Sequence, residues 1–142
     1  MKEVLPEASY YREVVFSDSA EKPGNLVRVF EGLKDGETIG YVMELNPPGY
    51  SGRISMMVGI SSVDNIITGM RVIRHTETPG LGALAVRESF YSRFDGKALS
   101  PLRVVRVLPG DNEIESITGS TITTVAITNA VNDAILWYGA NR

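Results

Sequence analysis

The stretch LVRVFEGLKDGETIGYVMEL, residues 26–45, decides the fold class. Residues 26–31 alternate between buried-type and polar side chains, which is the pattern of a half-buried β-strand. Residues 34–37 read Lys-Asp-Gly-Glu, and Asp-Gly tolerates the positive φ angles of a tight hairpin turn. Residues 38–45 supply the partner strand. This segment therefore predicts an antiparallel hairpin.

The flanking segments extend the hairpin into a larger sheet. A rigid loop, PPGYSG at residues 47–52, leads to a predicted strand at 53–61. A turn at 63–65 then leads to a predicted strand at 66–74, which completes a meander of about four antiparallel strands. Upstream, residues 10–16 fit either a short helix or a strand. Residues 19–25 contain Pro23-Gly24 and predict a loop.

Helical spacing replaces this alternation in the second half of the chain. Residues 83–91 predict a helix, residues 94–97 a turn and residues 102–107 a short strand. Residues 121–138 predict a long helix whose apolar side chains cover much of its circumference, so we expect it to be well buried. One apolar stripe comprises Ile122, Val125, Ala126, Ala130, Ala134 and Trp137, and a second comprises Ile127, Val131 and Ile135. The predicted fold class is α+β, with an antiparallel sheet of four or five strands and helices packed on it.

Length, charge and residue composition exclude several classes of function. The length of 142 residues suits one domain, residues 1–142, and the net charge of −3 provides no basic stripe for nucleic acid. The absence of cysteine excludes thiolate zinc sites, iron–sulfur clusters and thiol catalysis. His75 is the only histidine, so a hydrolase would have to use it as the base, and no G-x-S-x-G motif accompanies it. No run approaches the roughly 18 apolar residues that span a bilayer.

Two segments carry candidate chemistry, and the first is ESITGSTITT, residues 115–124, at the head of the long helix. The hydroxyls of Thr118, Ser120 and Thr121 are suited to capping the helix, and Gly119 permits a tight turn. Helix capping alone would explain these residues. A phosphate site is the functional alternative, because a helix N-terminus presents unpaired N–H groups and the positive end of a dipole. The segment lacks the lysine of a P-loop.

The second segment is HTETPGLG, residues 75–82. Pro79 and the glycines exclude a strand or helix interior, so a stiff strand-to-helix connection is one interpretation. The alternative is a ligand loop in which the glycines leave room for a flat ring against the backbone. Glu77 and Thr78 would then offer polar contacts.

Taken together in this order, the two segments resemble the covalent-FMN domain shared by the G subunit of Rnf complexes and the C subunit of sodium-pumping NADH:quinone oxidoreductases. The similarity extends to LPEA at residues 5–8, to the Gly-Tyr pairs at 40–41 and 49–50, and to VGISSVDNIITGMRV at residues 58–72. It covers the chain from about residue 5 to about residue 137.

The resemblance implies a site of covalent attachment. The family motif runs approximately Asp-x-x-Ser/Thr-Gly-Ala-Ser/Thr, and the FMN phosphate is esterified to the last hydroxyl residue. Thr118 and Gly119 fit this motif, Glu115 replaces the aspartate, Ser120 replaces the alanine, and Thr121 is the implied acceptor. Ser120 adds a rival hydroxyl beside it. A separate flavin transferase, using FAD and a metal, would place the FMN on Thr121.

The same resemblance implies a role in electron transfer. We expect an FMN-carrying subunit of a membrane-bound, ion-translocating complex of the Rnf type, which links ferredoxin to NAD. The alternatives are the equivalent C subunit of a quinone reductase, and a structural or interaction domain without a flavin. We expect the flavin ring to lie beside the loop residues His75, Glu77, Thr78, Pro79, Gly80 and Leu81.

The family also implies a cellular location. Its members carry an N-terminal membrane anchor, so we expect such a helix to precede residue 1. The soluble domain would lie on the extracytoplasmic (periplasmic) side of the cytoplasmic (inner) membrane, beside the other subunits of the complex.

Overall fold

The computed structural model describes residues 1–15, 24–49, 52–75 and 82–141. A five-stranded antiparallel sheet follows the order of the chain. Its strands are β1 (Tyr10–Val14), β2 (Leu26–Lys34), β3 (Glu37–Leu45), β4 (Ser55–Ser61) and β5 (Ile66–Arg74). Asp35 and Gly36 take φ angles of 53° and 80° between β2 and β3, as the predicted hairpin turn requires.

The undecided segment at residues 10–16 provides the fifth strand. Residues 10–14 form β1, which pairs with β2 from Tyr10 opposite Leu33 to Val14 opposite Val29. The predicted meander of β2 to β5 is confirmed. Of the loop predicted at 19–25, residues 19–23 lie outside the described residues, and Gly24 and Asn25 form a turn.

The helix predicted at residues 83–91 is wrong as a continuous element. A 3₁₀-helix (Gly82–Val86) and a short α-helix, α1 (Glu88–Tyr91), are separated by Arg87, whose backbone is extended at φ −83° and ψ 147°. The break lets Ala85 and Phe90 both reach the core, at 2% and 1% exposure. A second 3₁₀-helix (Ser92–Phe94) follows directly.

A second, two-stranded sheet precedes the long helix. The strand predicted at 102–107 is shorter, β6 (Arg103–Val105), and it pairs in parallel with β7 (Glu113–Glu115), which the sequence did not predict. A strand of three residues is too short for alternation to be recognised. The predicted long helix is confirmed as α2 (Thr121–Asn141). No helix in these described ranges is long and apolar enough to cross a membrane.

The buried side of α2 differs from the prediction at its first turns. Ile127, Val131 and Ala134 are buried in the main core, which also holds the inward side chains of the sheet. Ile122 and Val125 are 57% and 37% exposed, however, and three threonines are buried in their place: Thr123, Thr124 and Thr128. Thr124 is buried because its hydroxyl accepts a hydrogen bond from the Ile117 N–H, in the turn before the helix.

The opposite face of the sheet is covered by the N-terminal segment rather than by a helix. Val4, Leu5 and Ala8 are buried there against Val42 of β3. Glycine makes this approach possible: a Cβ atom on Gly59 would lie only 2.0 Å from the Val4 carbonyl oxygen. The α+β prediction is confirmed, and the sheet is covered on both faces.

The direction of α2 fixes where its N-terminus lies. Asp133 accepts a hydrogen bond from the Asn25 backbone N–H at 3.4 Å, at the start of β2. Tyr138 donates to Asn65 at 3.0 Å, in the turn before β5 and so toward the other end of the sheet. At about 1.5 Å per residue, Thr121 precedes Asp133 by roughly 18 Å along the helix axis. The helix therefore begins toward the end of the sheet at which β5 finishes.

Candidate functional site

The turn before α2 is set by Gly119 and by one buried threonine. Gly119 has a φ of 79°, and the Ser120 N–H donates to the Ile117 carbonyl at 2.9 Å. Thr124 Oγ1 accepts from the Ile117 N–H and donates to the Ser120 carbonyl, each at 3.0 Å. The sequence predicted capping by the hydroxyls of Thr118, Ser120 and Thr121, and the role of Thr124 was not predicted.

The two rival hydroxyls of the motif differ in accessibility. Thr121 is the first residue of α2 and is exposed, whereas Ser120 is only 8% exposed. Thr118 and Gly119 are exposed beside Thr121. Thr121 Oγ1 lies 3.2 Å from Ser116 Oγ, a neighbour that sequence reasoning did not single out. Of the two rival hydroxyl residues, Thr121 is therefore the one that is exposed to solvent.

The electrostatics of this end of α2 favour an anion. No acidic residue occupies the first turn, and Asp133 is the only charged side chain in the helix. No carboxylate within the first turn therefore offsets the positive end of the helix dipole. A phosphodiester on Thr121 would sit at this end.

Arg93 fixes the strand that leads into the motif. Its Nη1 donates to the Glu115 carbonyl at 2.5 Å, and its Nη2 lies 4.0 Å from the Glu115 carboxylate. Its Nε also donates to the Ser89 carbonyl at 3.0 Å. Arg93 thereby joins β7 to the helical segment after β5, a role that the sequence did not reveal.

The second predicted segment is described only at its margins. His75 is half-buried and follows β5 directly. The predicted ring neighbours Glu77, Thr78, Pro79, Gly80 and Leu81 lie outside the described residues. The 3₁₀-helix that follows them packs into the core shared with α2 through Ala85. The margin at His75 thus lies at the end of the sheet toward which α2 begins.

Metal chemistry has no visible basis in the part of the chain that the structure describes. Those residues contain no group of three or more His, Cys, Asp or Glu side chains that could hold a metal ion.

Comparison with known proteins identifies a matching family model and similar relatives. The model of the FMN-binding domain matches residues 49–136. The G subunit of the Na⁺-translocating ferredoxin:NAD⁺ oxidoreductase complex of Acetobacterium woodii is 41% identical, over 96% of this chain and 71% of that protein. The G subunit of the ion-translocating oxidoreductase complex of Methanosarcina acetivorans is 33% identical, over the whole chain and 74% of that protein.

Two solved structures also match this fold. The crystal structure of NqrC from Shewanella oneidensis matches with a TM-score of 0.63 and 25% identity. The C subunit of the Na⁺-translocating NADH-quinone reductase from Parabacteroides distasonis matches with a TM-score of 0.62 and 27% identity. Each match covers 76% of this chain, which spans 54% and 60% of those two chains.

Proposed function

This chain belongs to the FMN-binding domain family, and we propose that it is the electron-carrying domain of a G subunit in an ion-translocating ferredoxin:NAD oxidoreductase. The observation that carries the proposal is the family match combined with an exposed threonine at the head of α2. Bound FMN would supply reversible uptake and release of electrons. The chain would contribute the anchor, the orientation and the local field.

We assign covalent attachment to Thr121. The exposed position of Thr121, the turn shaped by Gly119 and a first helical turn without acidic residues all suit a phosphodiester. Ser120 is disfavoured because it is buried at 8% exposure. Thr121 has no evident base beside it and would be the substrate of a separate flavin transferase that draws FMN from FAD.

The ring would lie over the loop at residues 76–81, with His75 at its margin. Support comes from topology, since β5, which leads into that loop, finishes at the end of the sheet toward which α2 begins. The described residues would then hold the phosphate at one side, and the Pro-Gly loop would contact the ring at the other.

The assembly proposed here is a membrane complex. The relatives named above are subunits of ion-translocating oxidoreductase complexes. We propose that residues 1–142 form a single domain that follows an N-terminal anchor. This domain would lie on the extracytoplasmic side of the cytoplasmic membrane and contact other subunits.

A C subunit of a sodium-pumping quinone reductase is the second candidate, favoured by the two solved structures. Sequence identity separates the two, because the G subunits reach 41% and 33% identity whereas the C subunits reach 25% and 27%. Reduction of the flavin through ferredoxin in native membranes would support the G-subunit assignment. Reduction through NADH and quinone partners alone would contradict it.

Attachment can be tested by mass spectrometry of the full chain produced together with its flavin transferase. We expect one FMN per chain on the peptide containing Thr121, and we expect Thr121→Val to fold without covalent flavin. Ser120→Ala is the companion variant, because it removes the rival hydroxyl. Flavin kept by Thr121→Val and lost by Ser120→Ala would move attachment to Ser120. A colourless wild-type chain would favour a non-redox interaction domain.

A further inference from the structure

Ser116 forms a hydroxyl pair with Thr121. The Ser116 N–H donates to the Val105 carbonyl at 2.8 Å, which fixes the serine at the end of β7. Its side chain is 8% exposed. Ser116 Oγ lies 3.3 Å from the Ile117 carbonyl and 3.2 Å from Thr121 Oγ1. A buried, backbone-anchored hydroxyl therefore contacts the exposed nucleophile from within.

Counting the hydrogen-bond donors and acceptors of Ser116 shows which hydroxyl donates in each contact. Serine has a single hydroxyl proton and two acceptor lone pairs. Both contacts are made at once when Ser116 donates to the Ile117 carbonyl and accepts the proton of Thr121. In that arrangement the lone pairs of Thr121 Oγ1 point away from Ser116, toward the exposed side from which a phosphorus atom can approach.

We propose that Ser116 is a positioning residue for flavin attachment, an inference that rests on Thr121 being the acceptor. It holds Thr121 Oγ1 in place before transfer and keeps the contact after the threonine has lost its proton. An alkoxide or ester oxygen has no proton to donate and can only accept. The Ser116 hydroxyl then turns from the Ile117 carbonyl and donates to that oxygen, which neither alanine nor a pure acceptor could do.

The chemical step balances as a phosphoryl transfer. Thr121 Oγ1 forms a bond to the phosphorus on the FMN side of FAD. The bond between that phosphorus and the bridging oxygen breaks, and AMP leaves with the electron pair. As Ser116 turns to donate to Oγ1, the Thr121 hydroxyl rotates toward solvent and gives its proton to a base on the transferase. The Ser116 donor then stabilises the charge that develops on Oγ1. No electron is gained or lost in this step.

The test measures flavin incorporation into the full chain by purified flavin transferase with FAD and its divalent metal. Ser116→Ala removes the hydroxyl, and Ser116→Cys keeps the size of the side chain but bonds only weakly. We expect kcat to fall roughly three- to tenfold in both variants, with KM for the chain unchanged. Ser61→Ala is the matched control, because Ser61 is equally buried at 7% exposure and lies in β4, on the other end of the sheet.

The outcomes separate this inference from the proposed function. Wild-type kcat in either Ser116 variant would overturn the positioning role, as would a rise in KM at unchanged kcat. If the Ser116→Ala chain does not fold, the kcat of flavin incorporation into Ser116→Cys is the deciding measurement. A wild-type chain that takes up no flavin, or a Thr121→Val chain that does, would overturn the attachment site itself.

Discussion

At the scale of single residues, the geometry of the turn before α2 depends on Gly119. Its φ of 79° lies in the left-handed region, where a Cβ atom costs about 1–2 kcal/mol. The residue stands two positions before Thr121, so a change in its backbone would move the hydroxyl at which we propose that the flavin is attached. The backbone conformation alone thus explains why glycine occupies position 119, whether or not a flavin is bound.

We therefore expect Gly119→Ala to lower the free energy of unfolding by about 1–2 kcal/mol, measured by urea denaturation of the flavin-free chain. Gly139→Ala is the control, since Gly139 lies within α2 and a Cβ there would meet nothing within 4 Å. That change should stabilise the chain by about 0.5–1 kcal/mol, because glycine weakens a helix interior. Equal free energies of unfolding in Gly119→Ala and Gly139→Ala would show that a Cβ atom at residue 119 does not strain the turn.

At the scale of elements, α2 buries two threonines that differ in hydrogen bonding: the hydroxyl of one is bonded, and the hydroxyl of the other is not. Thr124 is fully buried, and its Oγ1 bonds with the Ile117 N–H and the Ser120 carbonyl. Thr128 is 1% exposed, and its Oγ1 has no hydrogen-bond partner among the described residues. The same change to the isosteric valine should therefore have opposite effects at the two positions.

We expect Thr124→Val to lower the free energy of unfolding by about 1–3 kcal/mol, because it leaves the buried Ile117 N–H without an acceptor. Thr128→Val should be neutral or stabilising by about 1 kcal/mol, because it removes an unpaired buried hydroxyl. Thermal unfolding of both variants without flavin measures the difference. A loss at Thr128 as large as that at Thr124 would contradict this account.

Elements with long, regular patterns were predictable from the sequence. The β2–β3 hairpin and α2 extend over enough residues for their periodicity to be clear. The break at Arg87 and the strand β7 were not predictable, because each follows from tertiary packing over very few residues. At the site, the motif indicated Thr121, but the contacts of Ser116 and Arg93 join separate elements and carry no local signal.

At the scale of the whole molecule, the sheet separates two differently covered faces. One face packs against α2 and the short helices, and the other against residues 1–8. Gly59 and Gly40 face those N-terminal residues, and a Cβ atom on Gly40 would lie 3.2 Å from a Leu5 side-chain carbon. The N-terminal residues are thus part of the fold, on the face of the sheet away from α2.

Adding a methyl group at Gly59 should displace residues 1–8 from the sheet without changing the turn before α2. The new Cβ would lie 2.0 Å from the Val4 carbonyl oxygen and 2.6 Å from its carbon, both of them backbone atoms that cannot rotate away. We expect Gly59→Ala to lower the free energy of unfolding by about 1–3 kcal/mol. Hydrogen exchange should become faster at the amides of Val4 and Leu5, which now donate to the Met1 carbonyl at 3.1 and 3.0 Å.

Gly24→Ala is the matched control for this change, since its Cβ would make only an ordinary 3.8 Å contact with Asp133. Flavin incorporation at Thr121 should match the wild type in both variants, because α2 packs on the opposite face. Unchanged exchange at Val4 in Gly59→Ala would mean that residues 1–8 are held more loosely than their burial implies. Slower flavin incorporation in Gly59→Ala alone would mean that the two faces are mechanically coupled through the sheet.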